Sequence, residues 1–187
     1  MSPNPSKSTQ RFSPELLIFL GLPVLGVIIA AVTLSRERAA DVLTDDLLEA
    51  RWYAEDFVLP TLTGDTLQLS DYRGQVVFVN FWETTCAGCV RELPAFEQFV
   101  SEQGAAGAAI IAVNGRESHE QVGTFLNDLG VDRLTIALDT DLAVRQAYGV
   151  VALPTTIVID ADGFIRTLKF GELTLSDLRD LARALGT

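Results

Sequence analysis

Cysteine is nearly absent: the 187 residues hold two, Cys86 and Cys89, three apart. That excludes a small secreted scaffold stapled by disulfides, which would spread several cysteines along the chain. A domain of about 150 residues needs no such staples, because it buries roughly 68–70% of its unfolded surface. Histidine is scarcer still, with His119 alone. A structural zinc ion wants four tetrahedral ligands, and two cysteines with one distant histidine do not supply them. No metal and no cofactor is expected. Positive charge is also short: 14 Lys and Arg stand against 25 Asp and Glu, a net charge of −11. Lys7, Arg11, Arg36 and Arg38 against Glu15 and Glu37 leave the first 40 residues at +2, so the remainder carries −13. A domain so acidic repels phosphate backbones, and nucleic acid is not an expected partner. Internal repeats and low-complexity tracts are missing too.

One long apolar run is present. Leu16 to Leu34 (LLIFLGLPVLGVIIAAVTL) has no charged residue over 19 positions. As a helix it would span roughly the 30 Å hydrocarbon core. A buried core helix would show a polar stripe, and this segment has none. Gly21, Pro23 and Gly26 would weaken a soluble helix but are tolerated in a membrane span. The alternative is a cleaved signal peptide, whose apolar region is typically about 7–15 residues and ends at a small-x-small site not evident here. The reading is therefore a tail over 1–15, a single-pass anchor over 16–34 and an acidic spacer over 35–53. The basic flanks are tied, so the positive-inside rule does not choose an orientation. The short leader has nothing to fold, which favours a C-terminal domain on the extracytoplasmic side of a bacterial cytoplasmic membrane.

The spacer includes AADVLTDDLLEAR at 39–51, a possible helix. Beyond it, elements follow quickly. Phe57 to Leu59 and Thr66 to Leu69 flank Gly64-Asp65 as a β-hairpin would. Gln75 to Trp82 (QVVFVNFW) and Ala108 to Asn114 (AAIIAVN) read as buried strands. Ala87 to Gln103 is an expected helix. Ser118 with Gln121 gives a capping-box pattern for another, closed by Gly130. Leu134 to Leu138 is a short strand and Asp141 to Tyr148 a short helix. Thr155 to Asp160 and Phe164 to Phe170 form two strands about Ala161-Asp162-Gly163. Leu175, Leu178, Leu181, Ala182 and Leu185 mark one face of a last helix beginning near Thr174. Alternating strands and helices predict an α/β layer fold, and the final hairpin makes its central sheet mixed.

The chemistry centres on FWETTCAGCVRELP, residues 81–94. A buried strand ends at Trp82 and a helix begins near Cys86. At a helix N-terminus, unpaired N–H groups and the macrodipole stabilise a thiolate. In a Cys-x-x-Cys setting the first thiol falls from about 8.5 to somewhere between roughly 3.5 and 7.5. Residues three apart on a helix have Cβ atoms about 5–6 Å apart, so Cys89 can close a disulfide with modest movement. So short a loop removes little unfolded-state entropy, which makes the pair a poor staple and points to reversible redox work.

The residues now carry a specific resemblance. Phe81-Trp82 before the cysteines, Glu92-Leu93-Pro94 after them, and Val-Ala-Leu-Pro-Thr-Thr at 151–156 resemble the membrane-tethered thioredoxins of the cytochrome c maturation type, the TlpA and ResA kind. The likeness covers about residues 54 to 186 and implies a thioredoxin-like domain over 54–187. By that resemblance Cys86 is the attacking nucleophile and Cys89 the buried resolving thiol. Pro154 is a cis-proline beside which a substrate segment pairs as an added strand. Pro94 kinks the active-site helix. Glu92, one turn below Cys89, takes or returns its proton. Trp82, Thr85, Leu153 and Thr155 are expected to contact substrate.

Two positions depart from the pattern. Thr85 replaces a usual Trp, and Glu83 stands where a small residue is common. A carboxylate at 83 would disfavour a neighbouring thiolate. The Ala87-Gly88 dipeptide offers no cation to hold one, so the expected couple is reducing, nearer to thioredoxin at about −270 mV than to DsbA at about −120 mV. The resemblance also implies a transmembrane thiol electron donor and a disulfide-bearing protein substrate, apocytochrome c among the candidates. Two rival activities belong to the same broad fold. A peroxiredoxin-like peroxidase wants Pro-x-x-x-Thr-x-x-Cys, which is not here, and a copper-delivery protein wants Cys-x-x-x-Cys with a distal histidine. His119 is expected to be a surface residue instead.

Overall fold

The chain enters the residues described by the computed structural model, 52–103 and 107–186, just before a short antiparallel hairpin. The leader, the apolar segment 16–34 and nearly all of the spacer lie outside those residues. Among the described residues no helix is long and apolar enough to cross a membrane. Tyr53 bridges to Phe164, and the Ala54 N–H donates to the Gly163 carbonyl at 3.0 Å, so ordered contacts begin at the end of the expected spacer.

The hairpin strands are β1 (Val58–Pro60) and β2 (Thr66–Gln68), followed by a 3-10 turn at Leu69–Tyr72. Next come β3 (Val77–Trp82), α1 (Ala87–Gln103), β4 (Ala109–Gly115) and α2 (His119–Leu129). The chain ends with β5 (Thr135–Asp139), α3 (Ala143–Ala147), β6 (Thr155–Ile159), β7 (Ile165–Phe170) and α4 (Leu175–Ala184). Five strands form one sheet in the order β5-β4-β3-β6-β7. β3, β4 and β5 run parallel, while β6 and β7 are antiparallel to their neighbours, which is the mixed sheet expected.

Every residue of β3 is buried, which is why its sequence is a continuous apolar run rather than an alternation. Its residues alternate between two cores. Phe78 and Trp82 join Leu93, Phe96 and Phe99 of α1 and Leu178 of α4. Val77, Val79 and Phe81 join Leu67 and Leu69 of the N-terminal segment and Val144 of α3. Phe78 and Phe99 meet edge to face with centroids 5.7 Å apart. Truncating a buried Phe such as Phe78 to Ala costs about 3–5 kcal/mol, since a transfer loss and a cavity add.

The caps follow the local chemistry. Thr174 and Asp177 form a complete capping box at α4. At α2 only half of one forms: the Gln121 N–H donates to Ser118 Oγ at 3.2 Å, but the Gln121 side chain turns to Glu117 instead of back to Ser118. Gly130 ends α2 in the left-handed region at φ 71°, where a side chain would be strained. The free edge of β5 is covered by the hairpin, through a bridge between Thr61 and Ala137 and the Leu62 N–H on the Ile136 carbonyl.

Candidate active site

Sheet register assembles the site. β3 ends at Trp82 with Phe81 opposite Thr155 of β6, so the turn after β3 lies beside the residues before β6. The first turn carries Cys86 and Cys89 and the second carries Pro154. Ligand and reaction sites of α/β sheets favour this carboxyl end of the strands.

Cys86 immediately precedes α1 and is half-buried, whereas Cys89 in the first turn is 0% exposed. Their sulfurs are bonded, with Cα atoms 5.2 Å apart. The Cys89 N–H points at Cys86 Sγ, 3.2 Å away, as the N–H groups of a first turn point at an N-cap oxygen. The same N–H would favour a thiolate at Cys86 once the disulfide opens, together with the positive end of the helix. The Cys86 N–H donates to the Glu83 carbonyl at 3.1 Å and closes the turn that leads into α1.

The Leu153–Pro154 peptide is cis. A Cβ placed on Gly88 would lie 3.3 Å from Pro154 Cδ and 3.2 Å from Glu172 Oε1, so the residue between the cysteines is pressed against the proline ring. Glycine at 88 admits that approach. The Pro154 carbonyl accepts from the Gly171 N–H at 2.9 Å, which fixes this segment to the end of β7.

Glu92 is not a solvated helix charge. It is 2% exposed, and its two oxygens accept from the Asn80 side-chain amide and the Leu173 N–H, each at 2.9 Å. Burial pushes the Glu92 carboxyl up to about 7, against the opposing pull of those two donors, and the negative charge of Glu172 adds to the rise. A carboxyl one turn along α1 from Cys89, with its proton half lost near neutral pH, suits proton exchange with a thiol. Asn80 also donates to Thr156 Oγ1 at 3.0 Å, while its own Oδ1 has no partner among the described residues.

The expected substrate contacts divide. Thr85 is exposed and Leu153 half-buried, so both present surface near the disulfide. Trp82 and Thr155 do not, at 1% and 0% exposed. The Trp82 ring packs against Phe125, and the Thr155 hydroxyl donates to the Ala152 carbonyl at 2.8 Å, so packing and turn formation replace the side-chain contact to substrate. His119 is exposed, with Nε2 2.7 Å from the Leu62 carbonyl oxygen. Pro94 lies inside α1, where its ring removes one helical hydrogen bond.

Three further residues belong to the site, and two of them had no local signal. Glu117 is buried and accepts from the Thr84 N–H at 2.9 Å, the Thr84 hydroxyl at 2.5 Å and the Asn114 amide at 2.7 Å, holding the cysteine turn to the end of β4. Arg145 donates to Glu83 Oε1 at 2.8 Å. The carboxylate expected to disfavour a neighbouring thiolate is therefore ion-paired, by a cation that lies outside the Ala87-Gly88 dipeptide. Asn80 was the one with a hint, as a lone amide in an otherwise apolar strand needs a buried partner.

Comparison with known proteins agrees with this geometry. The AhpC/TSA family model matches residues 52–168. Thiol-disulfide oxidoreductase ResA of Geobacillus thermodenitrificans is 39% identical over 126 residues, covering 67% of this chain and 72% of its own. A secreted thiol-disulfide isomerase from Corynebacterium glutamicum superposes with a TM-score of 0.63 at 29% identity, over 72% of this chain and 89% of that one. The pneumococcal exposed lipoprotein thioredoxin Etrx1 from Streptococcus pneumoniae superposes at 0.64 with 25% identity, over 70% and 100%.

Proposed function

The chain belongs to the AhpC/TSA family and is a thioredoxin-like thiol–disulfide oxidoreductase, and from that premise we propose that it is a membrane-tethered reductase of protein disulfides outside the cytoplasm. The observation that carries the reading is the pairing of a partly exposed sulfur at a helix N-terminus with a fully buried one, both beside a cis-proline. Residues 1–15 are the tail, 16–34 the anchor, 35–53 the spacer and 54–187 the redox domain.

In the reduced protein the Cys86 thiolate attacks one sulfur of a substrate disulfide. The substrate S–S bond breaks, a mixed disulfide forms at Cys86, and one substrate thiolate leaves. Glu92, ionised, takes the proton of Cys89. The Cys89 thiolate then attacks Cys86 Sγ, the second substrate thiolate leaves, and the internal disulfide re-forms. Two electrons have passed to the substrate. Thr85 and Leu153 flank the incoming segment, whose backbone pairs beside Pro154 as an added strand. A transmembrane thiol donor returns the protein to the dithiol, and a haem-attachment disulfide of apocytochrome c is a substrate of fitting chemistry.

The test is a redox titration of the Cys86–Cys89 pair against glutathione. A potential nearer to thioredoxin, about −270 mV, is expected, and a value above about −150 mV would contradict a reductase. Protease treatment of spheroplasts checks the topology: the C-terminal domain should be digested, and protection would reverse the orientation.

A further inference from the structure

Arg145 lies 62 positions beyond Glu83, on α3, yet its guanidinium reaches into the cysteine turn. Nη1 donates to Glu83 Oε1 at 2.8 Å, and the pair is largely enclosed, with side chains 19% and 22% exposed. Its Nε donates to the Val150 carbonyl at 3.2 Å, in the segment that runs on to Pro154. One side chain therefore joins the turn of the nucleophile to the loop of the cis-proline. Asp139, at the end of β5, fixes the base of the strut by accepting from the Arg145 N–H at 2.8 Å and the Val144 N–H at 3.2 Å. The backbone makes room for it. A Cβ on Gly115 would lie 3.3 Å from Glu83 Oε1 and 2.9 Å from Leu142 Cδ2. Leu142 itself holds a left-handed φ of 64°, which a branched side chain adopts only under constraint.

We propose that Arg145 is a positioning residue for the thiol chemistry: it offsets the charge of Glu83 three residues before Cys86 and holds the cysteine turn against the cis-proline loop. The inference rests on the reading of Cys86 as the nucleophile. A bare carboxylate at 83 would oppose a thiolate at 86, because the hydrogen bond from the Cys86 N–H to the Glu83 carbonyl brings the two residues together across a turn. With the guanidinium bound, the pair presents a nearly neutral face. Among the described residues, Arg116 beside Gly115 is exposed to solvent, and three nearby carboxylates have partners of their own. Glu117 holds Thr84, Glu172 pairs with Arg91 beside Gly88, and Glu92 faces Asn80 and Leu173.

The pair makes a signed prediction that simple loss of structure does not. In the reduced full chain, the pH dependence of iodoacetamide alkylation at Cys86 reports its thiol pKa. Glu83→Gln leaves an unopposed guanidinium and should lower that pKa, and Arg145→Gln leaves an unopposed carboxylate and should raise it. Each shift should be roughly half a unit to one unit, since the charge sits beyond the closest contact range. The double variant should return near the wild type. Arg145→Lys, which keeps the charge, should recover most of the Arg145→Gln shift. The reduction potential should follow the thiol, rising in Glu83→Gln. Shifts of the same sign in both single variants, or none in either, would overturn the proposal. Should Arg145→Gln fail to fold, Glu83→Gln alone decides, because an unmoved or raised pKa there is equally fatal. Failure of the wild type to show a reactive Cys86 would instead overturn the functional reading.

Discussion

Two carboxylates flank the cysteine pair, and they meet opposite surroundings. Glu83, three residues before Cys86, is ion-paired to Arg145 at 2.8 Å. Glu92, three residues after Cys89, is buried against two neutral donors, with no cation bound to it among the described residues. The first faces a guanidinium that offsets a carboxylate charge. The second is pushed up to about 7 by burial and exchanges its proton near neutral pH. Residue type and distance along the chain are alike, so the difference comes from what the fold brings opposite each. An ion pair next to the nucleophile sets a fixed field, whereas an unpaired buried acid below the resolving thiol supplies a movable proton.

The largest effect erases the comparison altogether. Cys86→Ser should abolish reduction of insulin disulfides, leaving turnover at the level of the uncatalysed reaction, because both carboxylates act on a reaction that begins at that sulfur. Next comes Glu92→Gln. It keeps size and an acceptor for the Leu173 N–H, and the unpartnered Asn80 Oδ1 can accept from the new amide if the Asn80 side chain rotates. It removes the proton carrier, so resolution of the mixed disulfide should slow about 100-fold at pH 7, the low end for lost acid–base catalysis. Stopped-flow quenching with alkylation would measure it, and the pH dependence near 7 should vanish with the carboxyl.

A stability difference sharpens the same contrast. The folded Glu92 carboxyl titrates above its ordinary value of 4.5. Below about pH 4.5 both folded and unfolded chains hold the proton and the protein suffers no penalty. As pH rises to about 7 the unfolded chain loses its proton first, so this group's stability contribution is progressively lost. Relative to Glu92→Gln, the oxidised wild type should therefore lose on the order of 3 kcal/mol between pH 4.5 and pH 7. Urea unfolding of both proteins across that range reads the difference. The smallest effect is expected at Glu102, exposed on α1 and paired with Arg179 of α4. Glu102→Gln should leave the reductase rate within about twofold, as screened surface pairs contribute little.

Much of this was legible in the sequence because it is local. The bounds of α1, Ala87–Gln103, follow from a buried strand, a cysteine cap and an apolar stripe. The capping residues of α2 and α4 could also be read directly from Ser118 and Thr174. Strand ends shifted by a residue or two where pairing, and not propensity, ends the ladder, as at Val77 and Asp139. What stayed hidden was long-range. No pattern near residue 83 announces a partner at 145, and no pattern near 84 announces Glu117 within a loop after β4. The same limit explains Trp82 and Thr155. The resemblance implied substrate contact at both, but each sits on a strand buried on both faces, so its side chain enters a core whichever way it points.

The most direct measurement is capture of the intermediate. The Cys89→Ala chain, reduced and mixed with a disulfide-bearing polypeptide, should accumulate a mixed disulfide through Cys86 that dithiothreitol releases, and Cys86→Ser in the same background should capture nothing. No adduct, or an adduct that persists without Cys86, would contradict the assignment of the nucleophile and with it the whole exchange scheme.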